Sequence, residues 1–598
     1  MAEESPSQSP LDSLLNQYID FYKKEVVEDT ESEDPEEAKK TLLTKYSFQL
    51  PIEYHEAKTL NESVTSDLEL EGSHNLYKNL FTSTQQHIPL LMNKWSSLYT
   101  TKKEFLIDNQ TLIQKYSPKT TNMDTFVASY LEFKGEQNFL NKYQYVQFRR
   151  LFFLNSITGF LQFLALYNIF SPLLSLCAPI IGLIIPYFVF YFKGIKLSFS
   201  NYLKMIKTMI LNSNMVRNIL NFRKGNMQQK MYACIYVFFY GLGVYNNVQS
   251  CVSFYHNTNF MIDFNEKYHT YLCQGDELIH HVYTQTKELD HFSDFNKTLM
   301  SYQKKIHHMR NVVHGLNQIQ NKYMKCGQIG LLMKYNFDIF HNEEYHDSVM
   351  YLIYLNQFHM NMTDLSSLSS RKYIKPCTFT ETKQTKMKKM YYLPHMKEKP
   401  VKNNVQLDKN IMITGPNASG KTTLIKSTMM NLFLSQSIGF GCYKRCRINP
   451  YSYFHSYLNI PDTSNRDSLF QAEARRCKDI FTFVKKHNNE RHLCIFDEIY
   501  SGTNPEDAVL CAKIYLNGMN EYKSNVDYVL TTHYLGLCES FNKDKSVKNQ
   551  KMGVCEKDND HIEYTYTLQN GISHVHGGYQ VLKNLEYPSE LMKQTEDS

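Results

Sequence analysis

Several absences constrain this chain of 598 residues before any motif is read. Residues 151–192 hold no charged side chain, and residues 193–230 hold eight Lys or Arg but no Asp or Glu. The thirteen cysteines show no regular spacing, which favours a reducing compartment over a disulfide framework. Cys442 and Cys446 in "CYKRC" have no matching second pair, so no zinc site is read there. The opening "MAEESPSQSP" lacks the apolar core of a secretory signal. A net charge of +6 is small for this length, so it permits contact with phosphates or anionic lipid without requiring it.

The length exceeds one hydrophobic core and predicts several domains. Residues 1–45 are rich in Ser, Glu, Asp and Lys and read as an acidic flexible tail. Residues 46–150 read as helical, with little Gly or Pro. Residues 151–255 form an apolar, membrane-associated insertion that contains the basic loop 193–230.

As one helix the uncharged run 151–192 would reach roughly 60 Å, about twice a hydrocarbon core. Pro172, Pro179 and Pro186 therefore suggest two short crossings joined near Ser171–Pro179. A double pass keeps the basic loop on the cytoplasmic face, with the more polar run Met231–Tyr255 interfacial or packed in protein. One pass in each run also gives an even number of crossings but reverses the loop. A buried helical pair in a soluble domain is the competing reading, and the uncharged length argues against it. Residues 256–375 show apolar stripes at three- and four-residue spacing and read as long packing helices. From 376 onward short apolar runs alternate with helices, as in an α/β layer.

The chemistry sits in that last region. "GPNASGKTT" places Gly415, Pro416, Asn417, Ala418, Ser419, Gly420, Lys421, Thr422 and Thr423 between a strand-like run and a helix-like run. The glycines let backbone N–H groups converge on a phosphate chain, and the helix start adds its positive end. Lys421 supplies a full charge to the terminal phosphates, and the Thr422 hydroxyl suits Mg²⁺. Downstream, "RHLCIFDEI" ends an apolar run with Asp497 and Glu498. An acidic pair there needs a cation or donors, so Asp497 is assigned to Mg²⁺ and Glu498 to the attacking water. A third apolar run, "YVLTTHYLGL", ends at His533, placed to sense the γ-phosphate.

The order "TGPNASGKTT", "DSLFQAEARRCKDI", "FDEIYSGTNPEDA", "TTHYLGL" resembles the ATPase domain of the MutS family, within the ABC-type ATPases. The resemblance covers residues 395–592 and extends weakly to "DLELEGSHNLYKNL" upstream. It implies an α/β P-loop ATPase domain at 376–598 behind a helical core and lever region with a transmembrane hairpin. It implies ATP and Mg²⁺ as ligands. By position it makes Ser468 the signature residue that reaches the γ-phosphate bound by a partner subunit, with Gln471 and Glu473 nearby. Gly502, Thr503 and Asp507 would form the loop facing that partner, so a homodimer or a MutS-like heterodimer follows.

The chain departs from the mismatch-reading members of the family. Their amino-terminal Phe-x-Glu has no counterpart near the start, and the matches at Phe264–Glu266, Phe379–Glu381 and Phe496 lie elsewhere. The expected protein is a dimeric ATPase attached to a membrane, its ATPase domain facing the cytosol. The alternatives are a soluble intracellular member that binds double-stranded DNA in repair or recombination, and a scaffold with a degenerate ATPase.

Overall fold

The computed structural model of the chain describes residues 48–72, 75–82, 90–136, 138–194, 198–212, 222, 226–317, 327–458, 469–557 and 561–575. The acidic tail lies outside them, as do Ser468 and much of the basic loop. The chain forms two compact units, each assembled from separate segments. The sequence divides linearly, but the long helices carry the chain from one unit into the other, so the units are not continuous in sequence.

The first unit combines residues 122–277 and 302–351 among those described. Its core joins helix α2 (Asp124–Lys134) to the middle of α5 (Met227–Thr286) through aromatic side chains. Phe133 stacks on Phe264 with ring centroids 4.3 Å apart, and Phe126 lies 4.6 Å from Tyr271. Helix α3 (Thr158–Phe192) packs its start on α7 (Ile329–His341). Contact there is so close that a Cβ on Gly330 would sit 2.4 Å from the Gln162 backbone nitrogen.

Helix α3 corrects the expected break. It runs unbroken past Ser171 and all three prolines. Prolines seven residues apart fall on one side of a helix, so each removes one hydrogen bond from the same edge while the rest of the ladder holds. The chain reverses only after Phe192. Helix α4 (Phe199–Asn212) follows, and α5 then returns alongside α3. The hydroxyl of Tyr240 donates to the Leu176 carbonyl at 2.8 Å, and the Cys251 thiol lies 3.5 Å from the Ile169 carbonyl. The antiparallel pair is thus α3 with α5, not two halves of 151–192.

The second unit combines residues 48–121, 278–301 and 352–575 among those described. Its centre is a six-stranded sheet in the order β13-β12-β6-β11-β10-β9. Strands β6 (Asn410–Thr414), β9 (Tyr453–Tyr457), β10 (His492–Asp497), β11 (Val526–Thr531) and β12 (Val547–Lys557) are parallel, and β13 (His561–Asn570) closes the edge antiparallel. The run Leu493–Phe496 is completely buried, as expected for a strand covered on both faces. Alternation divides it between two helical layers. Cys494 and Phe496 join a core with α10 (Leu469–Lys486) and α11 (Pro505–Glu521), while α9 (Lys421–Ser437) covers the other face.

A five-stranded sheet flanks this layer, in the order β5 (Asn403–Leu407), β4 (Thr385–Met390), β8 (Arg445–Ile448), β3 (Lys375–Phe379) and β7 (Phe440–Gly441). There Cys446 pairs in register with Cys377, and both are buried. No cluster of three or more metal-ligating side chains occurs among the described residues. The upstream segment "DLELEGSHNLYKNL", within the region read as helical, packs on the α/β layer. Ser456 donates to Asp67 at 2.6 Å, Lys426 pairs with Glu69 at 2.9 Å, and Tyr77 donates to Ser437 at 3.1 Å.

Candidate nucleotide site

The loop 415–420 leaves the end of β6 and enters α9 at Lys421. Ala418 and Gly420 both have left-handed backbone, with φ of +61° and +87°. That geometry favours glycine at 420, where a Cβ would also meet the Tyr566 ring at 3.1 Å. At Gly415 a Cβ would come within 2.9 Å of the Ser419 hydroxyl and 3.0 Å of Met552. Gly420 is therefore required by conformation as well as by space, and Gly415 by space alone.

Lys421 is only 6 % exposed. Its ammonium donates to the Gly415 and Pro416 carbonyls at 3.0 and 3.3 Å and lies 3.5 Å from Glu498. A buried cation held by its own loop is poised to exchange those carbonyls for a stronger anionic acceptor. The Ser419 hydroxyl is buried without a hydrogen-bond partner.

The neighbouring strands supply the acids. Thr422 donates to Asp497 at 2.7 Å, and Thr531 at the end of β11 donates to the other oxygen of the same carboxylate. Glu498 follows in left-handed backbone (φ +49°), fixed by its N–H to the Thr531 carbonyl at 3.1 Å. Its carboxylate lies 3.5 Å from Lys421 and 3.7 Å from His533. His533, then Lys421, hold the Glu498 carboxyl below its ordinary range, against an opposing push from partial burial. The carboxylate form persists, as a proton acceptor requires. Lys421, Thr422, Asp497, Glu498 and His533, distant in sequence, thus converge on one place.

That place opens into a cleft of about 650 Å³. Asn417, Ala418 and Thr423 line it together with Tyr391, Tyr392, His395 and Tyr566. These four rings carry no motif and were not legible in the sequence. Tyr566 stands at a left-handed position (φ +53°) beside a register shift between β12 and β13. Asn403 holds it there, donating to the Tyr566 carbonyl at 3.0 Å and accepting from the Leu568 N–H at 2.7 Å.

The donor set fits a magnesium nucleoside triphosphate. The cleft offers a buried ammonium, an unpartnered buried hydroxyl, a threonine–aspartate pair suited to a hard cation, and aromatic walls wide enough for a base.

Gly502 and Asp507 are exposed, and Thr503 is half-buried. Asn504 caps α11, accepting from the Asp507 N–H at 2.9 Å, and its amide donates to the Asp507 carboxylate. Glu473, 3 % exposed, receives the Ser501 N–H, the Ser501 hydroxyl and the Gly502 N–H at 3.1, 2.8 and 3.1 Å. Ser468 lies outside the described residues. The Phe-x-Glu matches are structural: Phe264 is buried in the aromatic core, and Glu381 pairs with Lys103.

Comparison with known proteins finds likeness over the same region of the chain. The family description "MutS domain V" matches residues 411–598. The DNA mismatch repair protein MutS of Phocaeicola vulgatus is 29% identical over 206 residues, covering 33% of this chain and 23% of that protein. MutS of Bacteroides thetaiotaomicron is 30% identical over 202 residues, with the same coverage of 33% and 23%. The DNA mismatch repair protein MSH3 of Candida albicans is 28% identical over 205 residues, covering 32% of this chain and 19% of that protein. The match thus spans less than a quarter of these relatives' own length. The likeness resides in the domain that carries the cleft, and that domain, residues 411–598, is the part of the chain that matches MutS domain V.

Proposed function

We propose that the chain binds Mg²⁺–ATP in this cleft and hydrolyses it to ADP and phosphate. The convergence of Lys421, the Thr422–Asp497 pair and the Glu498–His533 pair carries the reading. Bound Mg²⁺, held by Thr422 and Asp497, would supply positive charge along the phosphate chain. Lys421 exchanges its carbonyl acceptors for phosphate oxygens. The loop amides and the start of α9 bind the remaining phosphate charge. Glu498 accepts a proton from water as that water attacks the γ-phosphorus and the bond to the bridging oxygen breaks. His533 keeps Glu498 ionised and stands where the γ-phosphate would lie. Tyr391, Tyr392 and Tyr566 wall the space left for the base.

The site is completed by a second subunit, a copy of this chain or a MutS-like partner, whose Ser468 region would reach the γ-phosphate. Gly502, Thr503 and Asp507 form the facing loop. ATP closes the pair, hydrolysis reopens it, and the helical unit moves with the cycle. Membrane attachment through 151–255, with the ATP site facing the cytosol, is supported by one helix. Thr158–Ala178 is the single stretch among the described residues long and apolar enough to cross a bilayer. A soluble DNA-binding role is the second reading, favoured by the mismatch-repair names of the relatives. The complete acid, base and lysine set counts against a degenerate scaffold.

Glu498→Gln separates binding from chemistry. It should retain ATP while turnover falls by about 10²–10⁴-fold. Normal turnover in that variant would remove Glu498 from its role, and loss of nucleotide affinity in the unaltered chain would end the whole reading.

A further inference from the structure

We infer that the outward face of the five-stranded sheet is a docking surface for the phosphodiester backbone of double-stranded DNA. This rests on the second, DNA-binding reading above and assigns that reading a place on the molecule, away from the ATP cleft.

The strands alternate between two sides, and the inner side is core: Cys377, Met387, Val405 and Cys446 are buried. The outward side is cationic. Lys386, Lys388 and Lys389 on β4, Arg445 and Arg447 on β8, and Lys444 just before β8 are all exposed. Their outward neighbours Thr378, Asn404 and Gln406 are polar and uncharged. Among the described residues, none of the six cations has an acidic partner. The flanking acids are engaged elsewhere, Glu381 with Lys103, Glu398 with His395 and Asp408 with Lys548.

Two features separate this face from an ordinary solvated one. Cations oppose cations: Lys386 pairs in register with Arg447, and Lys388 with Arg445. Like charges directly opposite on a sheet are destabilising. Lysines often guard a sheet edge against stray pairing, but β4 and β8 lie inside this sheet, between β5 and β3. Edge protection therefore does not account for them. The second feature is an irregularity, since the pairing of β4 with β5 shifts register between Met387 and Met390. Lys389 takes left-handed backbone there (φ +53°), and its N–H donates to the Asn404 side chain at 2.9 Å. The shift leaves Lys388 and Lys389 both exposed, where a regular strand would turn one of them inward. Repulsion and unfavourable backbone are thus both carried to place more charge on one face. A polyanion laid across it turns the repulsion into attraction.

Spacing and chemistry select the polyanion. Opposed residues have Cβ atoms about 4.5–5.5 Å apart across the strands. Along a strand, Lys386 to Lys388 and Arg445 to Arg447 repeat at about 6.8 Å. This flat grid follows a row of phosphates and encloses none, so a free phosphate would engage only part of it. Durable attachment to lipid adds apolar insertion to charge. None of the exposed large apolar side chains among the described residues belongs to these strands. Single-stranded nucleic acid needs exposed rings on which its bases stack, and the outward residues include none. A duplex presents phosphates on its outside, and Lys, Arg, Thr, Asn and Gln are the side chains that contact them without reading sequence.

The test measures binding of the full chain to a labelled duplex DNA of arbitrary sequence, by anisotropy, between about 50 and 200 mM salt. The double variant Lys386→Gln with Arg447→Gln removes two phosphate contacts, so the slope of log affinity against log salt should flatten by about 1.8. ATP affinity should stay unchanged, since neither side chain lines the cleft. The melting temperature without DNA should hold or rise, because an opposed like-charge pair is gone. Lys388→Gln with Arg445→Gln should flatten the slope equally through the other pair, so the outcome does not hang on one variant folding. Duplex binding with an unchanged slope in both variants would overturn the face as the site and leave the DNA-binding reading standing. Absence of duplex binding by the parent chain would overturn both, with ATP binding a separate readout. Tighter binding of single strands, duplex RNA, polyglutamate or phosphatidylserine vesicles, lost in the same variants, would assign the face to another partner and overturn the inference.

Discussion

Glu473 offers the sharpest test of how the cleft is built. Its carboxylate is 3 % exposed and serves three donors from the loop that follows Glu498. One oxygen accepts the Ser501 N–H and the Ser501 hydroxyl, and the other accepts the Gly502 N–H. In Glu473→Gln one oxygen becomes an NH₂ group. The better orientation turns that group toward Gly502, so one backbone N–H loses its acceptor and faces another donor. A lost hydrogen bond to a charged acceptor costs about 1.5–3 kcal/mol. Gly502 cannot drift to relieve the conflict toward α10, because its Cα already sits where a Cβ would meet the Phe470 nitrogen at 2.9 Å.

Local opening of 499–503 should become easier by the same amount, since these amides exchange through local rather than global unfolding. Exchange of the Ser501 and Gly502 amides should therefore accelerate by about 10- to 150-fold. ATP affinity should change little, since neither residue lines the cleft, while turnover that depends on the partner-facing loop should fall. Glu473→Ala removes all three acceptors and leaves a cavity, so its exchange should be faster still. Unchanged exchange in both variants would show that the carboxylate does not hold the loop.

Three further outcomes follow from the geometry. In His533→Ala the Glu498 carboxyl loses the largest influence holding its pKa down, so the acid limb of the ATP turnover profile should move to higher pH. For the same reason the stability that the Glu498 carboxylate contributes is present above its unfolded pKa and lost as pH falls through the lowered folded value. That loss should begin at higher pH in the variant, readable by urea unfolding across the acid range. Gly330→Ala, which gains about 1 kcal/mol in an open helix, should instead destabilise the first unit by about 1–3 kcal/mol, because the methyl meets the α3 backbone. A thermal melt that rises would refute the close approach. Asn403→Ala should weaken ATP binding without touching the phosphate groups, by releasing the turn that presents Tyr566; an unchanged affinity would detach Tyr566 from the base.

Sequence motifs mark the proposed phosphate end of the cleft and leave its other end unmarked, for a physical reason. Phosphate and Mg²⁺ demand particular groups at fixed spacing, so Gly415, Gly420, Lys421 and Asp497 stand out by type and order. A base needs only flat apolar surface, which any of 44 tyrosines can supply. Tyr392 and Tyr566 could be recognised only once β13 and the segment before β5 met at the cleft. Unit boundaries were hidden similarly. Helical periodicity marks a helix but not the end at which it changes partners, so 48–121 joined the α/β unit although it reads like the helical region that follows. The break expected at Ser171–Pro179 does not occur, because the spacing of the prolines matters more than their number. Three prolines at seven-residue spacing damage one edge of the helix and leave the rest of the ladder to continue.

The backbone of the cleft carries a cost that needs an explanation. Ala418, Glu498, Tyr500 and Tyr566 all hold left-handed φ, between +49° and +61°. Each non-glycine residue in that region costs about 1 kcal/mol or more. Four such positions within one functional region are not required by the sheet, since β10 and β11 are paired in regular register up to Asp497 and Thr531. They are held by local devices: Asp497 between two threonines, the Glu498 N–H on the Thr531 carbonyl, and the Asn403 brace around Tyr566. Relaxing any of them would turn a carboxylate or a ring away from the nucleotide. On the proposed function, the strain serves ligand positioning. Substituting glycine at 418, where the side chain is exposed and makes no catalytic contact, should relieve it, raising stability while loosening the loop and weakening ATP binding. A glycine variant that binds ATP as tightly as the parent would show that the left-handed turn serves the fold alone.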